Sequence, residues 1–282
     1  MLTIYLYEMK QVKNPLGEVF GFPIQNHSDI AQESRSKEYC PFKGHQQPCT
    51  KVNGGIKIGV CSVLSKGACV ITCPYRFIDK GIIFEEASKF AFGTNVNCRV
   101  IPEVSIHDAD GKIAGNVDFV AVRLNDQNEI VNFASIEIQG VYITGNVSKP
   151  FISFLKKPRS DFEWNEKNYP KPDYRSSQKR LIAQIRLKGE IFRSWNKKQV
   201  IVIQKAFYDS LPKVNRVAHV FADILWIIVD LHYNETTQQY DLVVVDRVHT
   251  LFNDVLYHMG RSPAGSITTF LQTLSKKLPL FL

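Results

Sequence analysis

Between residues 79 and 204 the apolar residues change period in a fixed order, and that order restricts the folds open to this chain. Ile82, Ile83, Glu86 and Phe90 fall on one face at helical spacing, so 79–92 is expected as a helix. Residues 99–107 suit a strand, and Asp110-Gly111 is a tight-turn signal. Residues 113–124 and 129–139 then read as a second and a third strand, joined through Leu124–Asn128. Leu181, Ile185, Lys188, Ile191, Phe192 and Trp195 mark an amphipathic helix at 176–195, and Gln199–Gln204 a short buried strand. The stretch from about Gly140 to Tyr174 carries Pro150, Pro158, Pro170 and Pro172. It is expected to be irregular, with neither a long helix nor a central strand. Loops of that length are usually functional or disordered. Two further strands are expected at 223–233 and 240–246, and a final helix at 263–277. An antiparallel meander followed by a helix crossover fits an α/β (α+β) architecture with a mixed sheet.

Residues 1–78 read differently: an alternating strand in Met1–Lys10, a loop-rich stretch and a cysteine cluster. The division is therefore 1–78 for an N-terminal unit and 79–282 for the main domain, with no internal repeat. Hydrophobic residues at 44% and charged residues at 22% are ordinary for a soluble globular protein. No apolar run reaches the roughly 18 residues that a bilayer span requires, so no membrane partner is expected. The start lacks a basic region and a small-residue cleavage site, which makes the expected location cytoplasmic. Thirty-five Lys and Arg against 27 acids leave a charge of +8, which favours a polyanionic partner.

Two constellations carry chemistry. Asp118 sits within Val117–Val122, where a carboxylate on an apolar strand face is costly unless it is paired or metal-bound. Glu137 and Gln139 share one face of the next strand, with Ile136 and Ile138 on the other. An Asp and a Glu on neighbouring strands can converge on a divalent cation, and hard oxygen ligands suit Mg²⁺. Such an ion activates water and offsets charge on a phosphate. Glu103, on the preceding strand, is a candidate accessory carboxylate.

The other constellation is cysteine. Five of six cysteines fall between Cys40 and Cys73, which in a reducing compartment points to metal rather than disulfides. Cys40, Cys49, Cys61 and Cys73 would make a tetrahedral site. Cys73 is preferred to Cys69 because Cys40-Pro-Phe and Cys73-Pro-Tyr-Arg-Phe open similar turns. His45 is a weaker candidate ligand, and Cys98 reads as core. Ligand chemistry alone favours zinc. Between residues 147 and 180, nine cations alternate with aromatics from Phe151 to Tyr174, a composition suited to phosphate contact. Lys156, Lys157, Arg159 and Arg175 are its candidate DNA contacts.

The succession of elements, with Asp118 on the second strand and Glu137-x-Gln139 on the third, resembles the PD-(D/E)xK nuclease superfamily. Two positions depart from its pattern: Asn116-Val117 precede Asp118 where proline is usual, and Gln139 replaces the usual lysine. Cys40-Pro-Phe, Pro-Cys49-Thr-Lys, Gly-Val-Cys61-Ser-Val, Cys73-Pro-Tyr-Arg-Phe, Gly-Asn-Val-Asp118-Phe-Val and Ile-Glu137-Ile-Gln139-Gly together resemble the NotI-like type II restriction endonucleases. The resemblance covers most of the chain. It implies Mg²⁺-dependent cleavage of double-stranded DNA at a palindromic site by a homodimer, with an iron ion in the four-cysteine module. A DNA-binding protein with an inert nuclease-like core, or a repair or junction nuclease, are the alternative readings. Retention of Asp118, Glu137 and Gln139 favours the enzyme.

Overall fold

The computed structural model describes residues 14–44, 47–53, 55–164 and 169–278; the expected strand at Met1–Lys10, His45 and Lys167 lie outside them. The N-terminal part holds β1 (Leu16–Val19), β2 (Phe22–Pro23), α1 (Asp29–Lys37), β3 (Val52–Asn53), β4 (Ile56–Lys57), β5 (Val60–Ser65) and β6 (Ala68–Ile71). Strands β2-β1-β5-β6 form an antiparallel sheet, and β3 and β4 a small hairpin beside it. There follow α2 (Ile82–Phe92), β7 (Cys98–His107), β8 (Ile113–Leu124), β9 (Ile130–Gln139), β10 (Tyr142–Thr144), α3 (Ser148–Lys156) and β11 (Lys171–Asp173). The rest is α4 (Tyr174–Ser194), β12 (Gln199–Gln204), α5 (Lys205–Asp209), β13 (Ile224–Asn234), β14 (Gln239–Thr250), α6 (Phe252–Met259) and α7 (Ile267–Lys277).

The central sheet has six strands in the order β14-β13-β12-β9-β8-β7. Its β7-β8-β9 half is an antiparallel meander, while β12 runs parallel to both β9 and β13. A parallel strand needs a crossover, and α4 supplies it between β9 and β12. Every residue of β12 is buried, as a continuous apolar run between two covered faces requires. On one face Ile136, Ile138, Val200, Val202 and Ile227 pack with Ile83, Ala87 and Phe90 of α2. On the other, Ile201, Ile203, Trp226 and Ile228 pack with Leu181 and Ile185 of α4. Leu16, Val19, Val60 and Val63 of the N-terminal sheet belong to that same cluster.

Four expectations are corrected. The stretch after Gly140 is not wholly irregular. β10 pairs with β11 (Tyr142↔Asp173, Ile143↔Pro172), and Pro150 sits in the first turn of α3, where a missing N–H breaks no helical bond. α2 begins at Ile82 rather than residue 79, because Lys80 and Gly81 take left-handed φ of 55° and 68°. Helices α5 and α6 are additional; at five and eight residues they are too short to announce themselves by period, although Phe252, Val255 and Met259 of α6 are buried. The closing helix starts at Ile267, where the Ser266 side chain accepts from the Thr269 N–H.

Candidate active site

β8 and β9 are paired from Leu124↔Ile130 down to Phe119↔Ile136, and there the ladder stops. One residue further, the Ile138 N–H donates to Asp118 Oδ2 at 2.8 Å instead of to a backbone carbonyl. The two strands part at this point, and Asp118 and Glu137 stand in the fork. β9 remains paired on its other edge, with Glu137 opposite Ile201 and Gln139 opposite Ile203 of β12. Glu137 and Gln139 therefore share the α4 face of the sheet, while Ile136 and Ile138 face α2.

Glu137 is 9% exposed. Its Oε2 accepts from Lys188 Nζ of α4 at 2.5 Å, and its buried Oε1 has no hydrogen-bond partner among the described residues. Burial pushes this carboxyl up to about 7; the Lys188 ammonium opposes the rise and the Asp118 charge adds to it. Burial also raises Asp118, against the Ile138 N–H and the cations Lys188 and Arg180, with Glu103 adding to the rise. Glu103 is exposed and holds a left-handed φ of 52°. It interrupts the β7–β8 ladder between Pro102↔Phe119 and Val104↔Val117, so it stands across from Asp118. A non-glycine residue in that region is strained, and such strain clusters at functional sites. Gln139 turns its amide Nε2 onto the Gly140 carbonyl at 2.6 Å. A cleft of about 190 Å³ opens over Asp118, Gln139, Tyr142, Arg180 and Gln184.

Sequence reasoning missed the contribution of α4. Arg180, Gln184 and Lys188 recur at four-residue spacing and so form one stripe of the helix over the fork. The available signal was Lys188, a charged residue occupying a position of the apolar stripe between Leu181, Ile185 and Phe192.

Cys40, Cys49, Cys61 and Cys73 line one small cavity of about 10 Å³, close to the space of a single water or ion. Cys40 and Cys73 each precede a 3₁₀ turn opened by proline, Pro41–Lys43 and Pro74–Gly81. The Lys43 and Arg76 N–H groups close these turns onto the carbonyls of Cys40 and Cys73, at 3.3 and 3.0 Å. Lys51 stands nearby, its Nζ on the Val60 carbonyl at 2.9 Å. Burial raises the thiols of Cys40, Cys61 and Cys73. Cys69 lies elsewhere, against Tyr240 and Ser62, and burial pushes it up to about 12. Cys98 is within reach of Ser88 Oγ at 3.1 Å. All six are free thiols. Among the described residues, no group of three or more His, Cys, Asp or Glu stands at metal-holding geometry.

The sequence profile of the family described as restriction endonuclease NotI matches residues 19–242, which includes both the cysteine cavity and the carboxylate fork. This chain belongs to the NotI restriction endonuclease family. It is accordingly a nuclease, a hydrolase that binds and cuts double-stranded DNA. A comparison with curated proteins finds no match to it.

In this NotI-family endonuclease the aromatics of the basic stretch are mostly core. Phe151, Phe154 and Phe162 are buried, and Tyr174 stacks on Phe207 at 6.0 Å. That leaves the cations outward: Lys156, Lys157, Arg159 and Arg175 are all exposed, with Arg159 paired to Asp161 at 3.4 Å. No helix among the described residues is long and apolar enough to cross a membrane.

Proposed function

We propose that this chain is a type II, site-specific, Mg²⁺-dependent endonuclease that acts as a homodimer on a palindromic site. The observation that carries the reading is the fork. Asp118 and Glu137 each commit one oxygen, to the Ile138 N–H and to Lys188, and Glu137 Oε1 is left buried without a partner among the described residues. An orphaned carboxylate oxygen in a closed site is costly unless a cation answers it. Asp118 and Glu137 would hold Mg²⁺, with Glu103 across from Asp118 as an accessory carboxylate. When bound, the ion supplies an activated water and offsets charge on the phosphate. Arg180, beside the cleft, is set to meet a phosphate oxygen; Gln139, a neutral amide tied to its own backbone, holds local geometry. Digestion of a plasmid library with purified protein and Mg²⁺, followed by sequencing of the ends, tests this. Ends that share no sequence, or no Mg²⁺-dependent cutting, would overturn it.

The N-terminal unit, residues 1–78, is read as carrying a structural iron or zinc in the four-thiol cavity. Support comes from the convergence of Cys40, Cys49, Cys61 and Cys73 on one small space.

Lys156, Lys157, Arg159 and Arg175 are read as contacts to the DNA backbone. Each phosphate left without its cation should flatten the log–log salt dependence of binding by about 0.9. The triple variant Lys156→Ala, Lys157→Ala, Arg159→Ala is expected to bind all sequences more weakly and with a smaller slope. An unchanged slope in fluorescence titrations would remove this segment from the backbone.

The dimer reading rests on two points. One chain offers one carboxylate fork, whereas a palindrome has two strands to cut and a matching two-fold axis. In addition, α7 buries none of its side chains, and Ile267, Phe270, Leu271, Leu274 and Leu278 are exposed along one face. An apolar helix face of that size marks an interaction surface. Leu271→Glu with Leu274→Glu should shift light scattering from dimer to monomer. A dimer that survives the change would place its interface elsewhere.

A further inference from the structure

Lys188 lies in the interior of α4, is 6% exposed, and occupies a position whose neighbours along the stripe are apolar. Its ammonium reaches both prongs of the fork: Nζ donates to the Asn116 carbonyl of β8 at 2.8 Å and to Glu137 Oε2 of β9 at 2.5 Å. β8 is distorted beside it, with Gly115 at φ 142°, a value L-residues rarely adopt, and the Lys188 stem against that glycine. Burying an ammonium and a carboxylate together gains little stability over an apolar pair of the same volume. Stability therefore gives no reason for a lysine here. Geometry does: the pair divides the two oxygens of Glu137. Oε2 is held, and Oε1 is left buried and unpartnered among the described residues. Gln139, on the same face, is neutral and spends its amide on Gly140, and Arg180 leans on the Tyr142 hydroxyl.

We propose that Lys188 is a positioning residue for DNA cleavage. Its ammonium spans the gap where β8 and β9 separate, fixes the carboxylate of Glu137 through one oxygen, and thereby presents the other to the divalent ion. The inference rests on the Mg²⁺ reading above. It assigns to α4 a cation that the β9 strand lacks, and it makes the helix a wall of the active site as well as a crossover.

The test compares wild type, Glu137→Ala and Lys188→Met, the last keeping side-chain volume without charge. Turnover is measured at saturating Mg²⁺, and Mn²⁺ affinity by calorimetry without DNA. Misplacing a reacting group by about 1 Å can lower a rate about 10²-fold. Lys188→Met is expected to lose kcat on that scale, with KM for DNA within about threefold of wild type. Mn²⁺ should still bind at least as tightly, because removing a positive charge beside the ion offsets looser alignment. Turnover within about threefold of wild type would overturn the proposal. So would loss of Mn²⁺ binding in a folded variant, since the lysine would then serve only the scaffold. If Lys188→Met does not fold, wild-type protein with ¹⁵N-labelled lysines decides. One ammonium signal should be protected from water exchange, displaced in Glu137→Gln, and shifted on adding Mg²⁺; absence of such a signal overturns the proposal. Wild-type protein that fails to cut with Mg²⁺, or Glu137→Ala protein that still cuts, would strike the underlying reading instead, so the two failures are distinguishable.

Discussion

Glu137→Ala is expected to end DNA cleavage while leaving DNA binding intact. A divalent ion held in the fork would contribute several kcal/mol of charge stabilisation to phosphodiester attack, and each 1.4 kcal/mol or so is tenfold in rate. Losing its buried ligand should therefore lower turnover by about 10³-fold or more. Asp118→Ala should do the same, because its carboxylate faces the same gap from the other strand. Affinity for DNA rests on cations outside the fork, so removing a negative charge there should leave it unchanged or raise it. Calcium should support binding of wild-type protein with little cutting, since its looser coordination positions the attacking water poorly. The deciding measurement is plasmid cleavage by Glu137→Ala after circular dichroism has shown it folded. Wild-type turnover in that assay would move the chemistry away from the fork.

The alternation of periods made the frame of this fold legible. Glu137 and Gln139 share a face for the same reason that Ile136 and Ile138 share the other, and the apolar run Val-Ile-Val-Ile marked β12 as a short buried strand, all six residues of which are covered. What could not be read was anything set by the place where two strands separate. Alternation continues through Asp118 with no mark that its partner strand has let go. The left-handed turn of Glu103 is likewise a property of pairing, since glutamate carries no signature for positive φ. Lys188 was visible only as an oddity of the apolar stripe; its meaning needed Glu137, 51 residues earlier, to be brought against it. In the basic stretch composition could not say which way the aromatics turn, and Phe151, Phe154 and Phe162 are packed inward. A one-dimensional pattern of cations and rings looks the same whichever way the rings turn.

The proposed metal site in the four-thiol cavity yields the second large effect, and here four residues are separated from a fifth by position alone. Changing Cys61 to alanine is expected to remove the bound metal and with it the fold of the N-terminal unit. Cys40, Cys61 and Cys73 are buried thiols raised by desolvation, so without an ion they remain neutral and give the cavity no net attraction. Thiolate–metal bonds reverse that: structural sites of this kind contribute on the order of 10 kcal/mol or more, comparable with the whole stability of a domain. The loss should also spread. Cys40 and Cys49 belong to the same hydrophobic cluster as Leu181, Ile201 and Trp226, so an unfolded N-terminal sheet exposes the α4 face of the central sheet. Cys69→Ala is the control, because Cys69 is equally buried but faces Tyr240 and Ser62 rather than the cavity. Elemental analysis should find one iron or zinc per chain in wild type and in Cys69→Ala, and close to none in Cys40→Ala, Cys49→Ala, Cys61→Ala or Cys73→Ala. Thermal melts should show the last four unfolding well below wild type, and a strong chelator applied to wild type should reproduce their behaviour. Wild-type protein that carries neither metal would leave the four thiols as packing alone, and Cys69→Ala protein stripped of metal would move the site to the other end of β6.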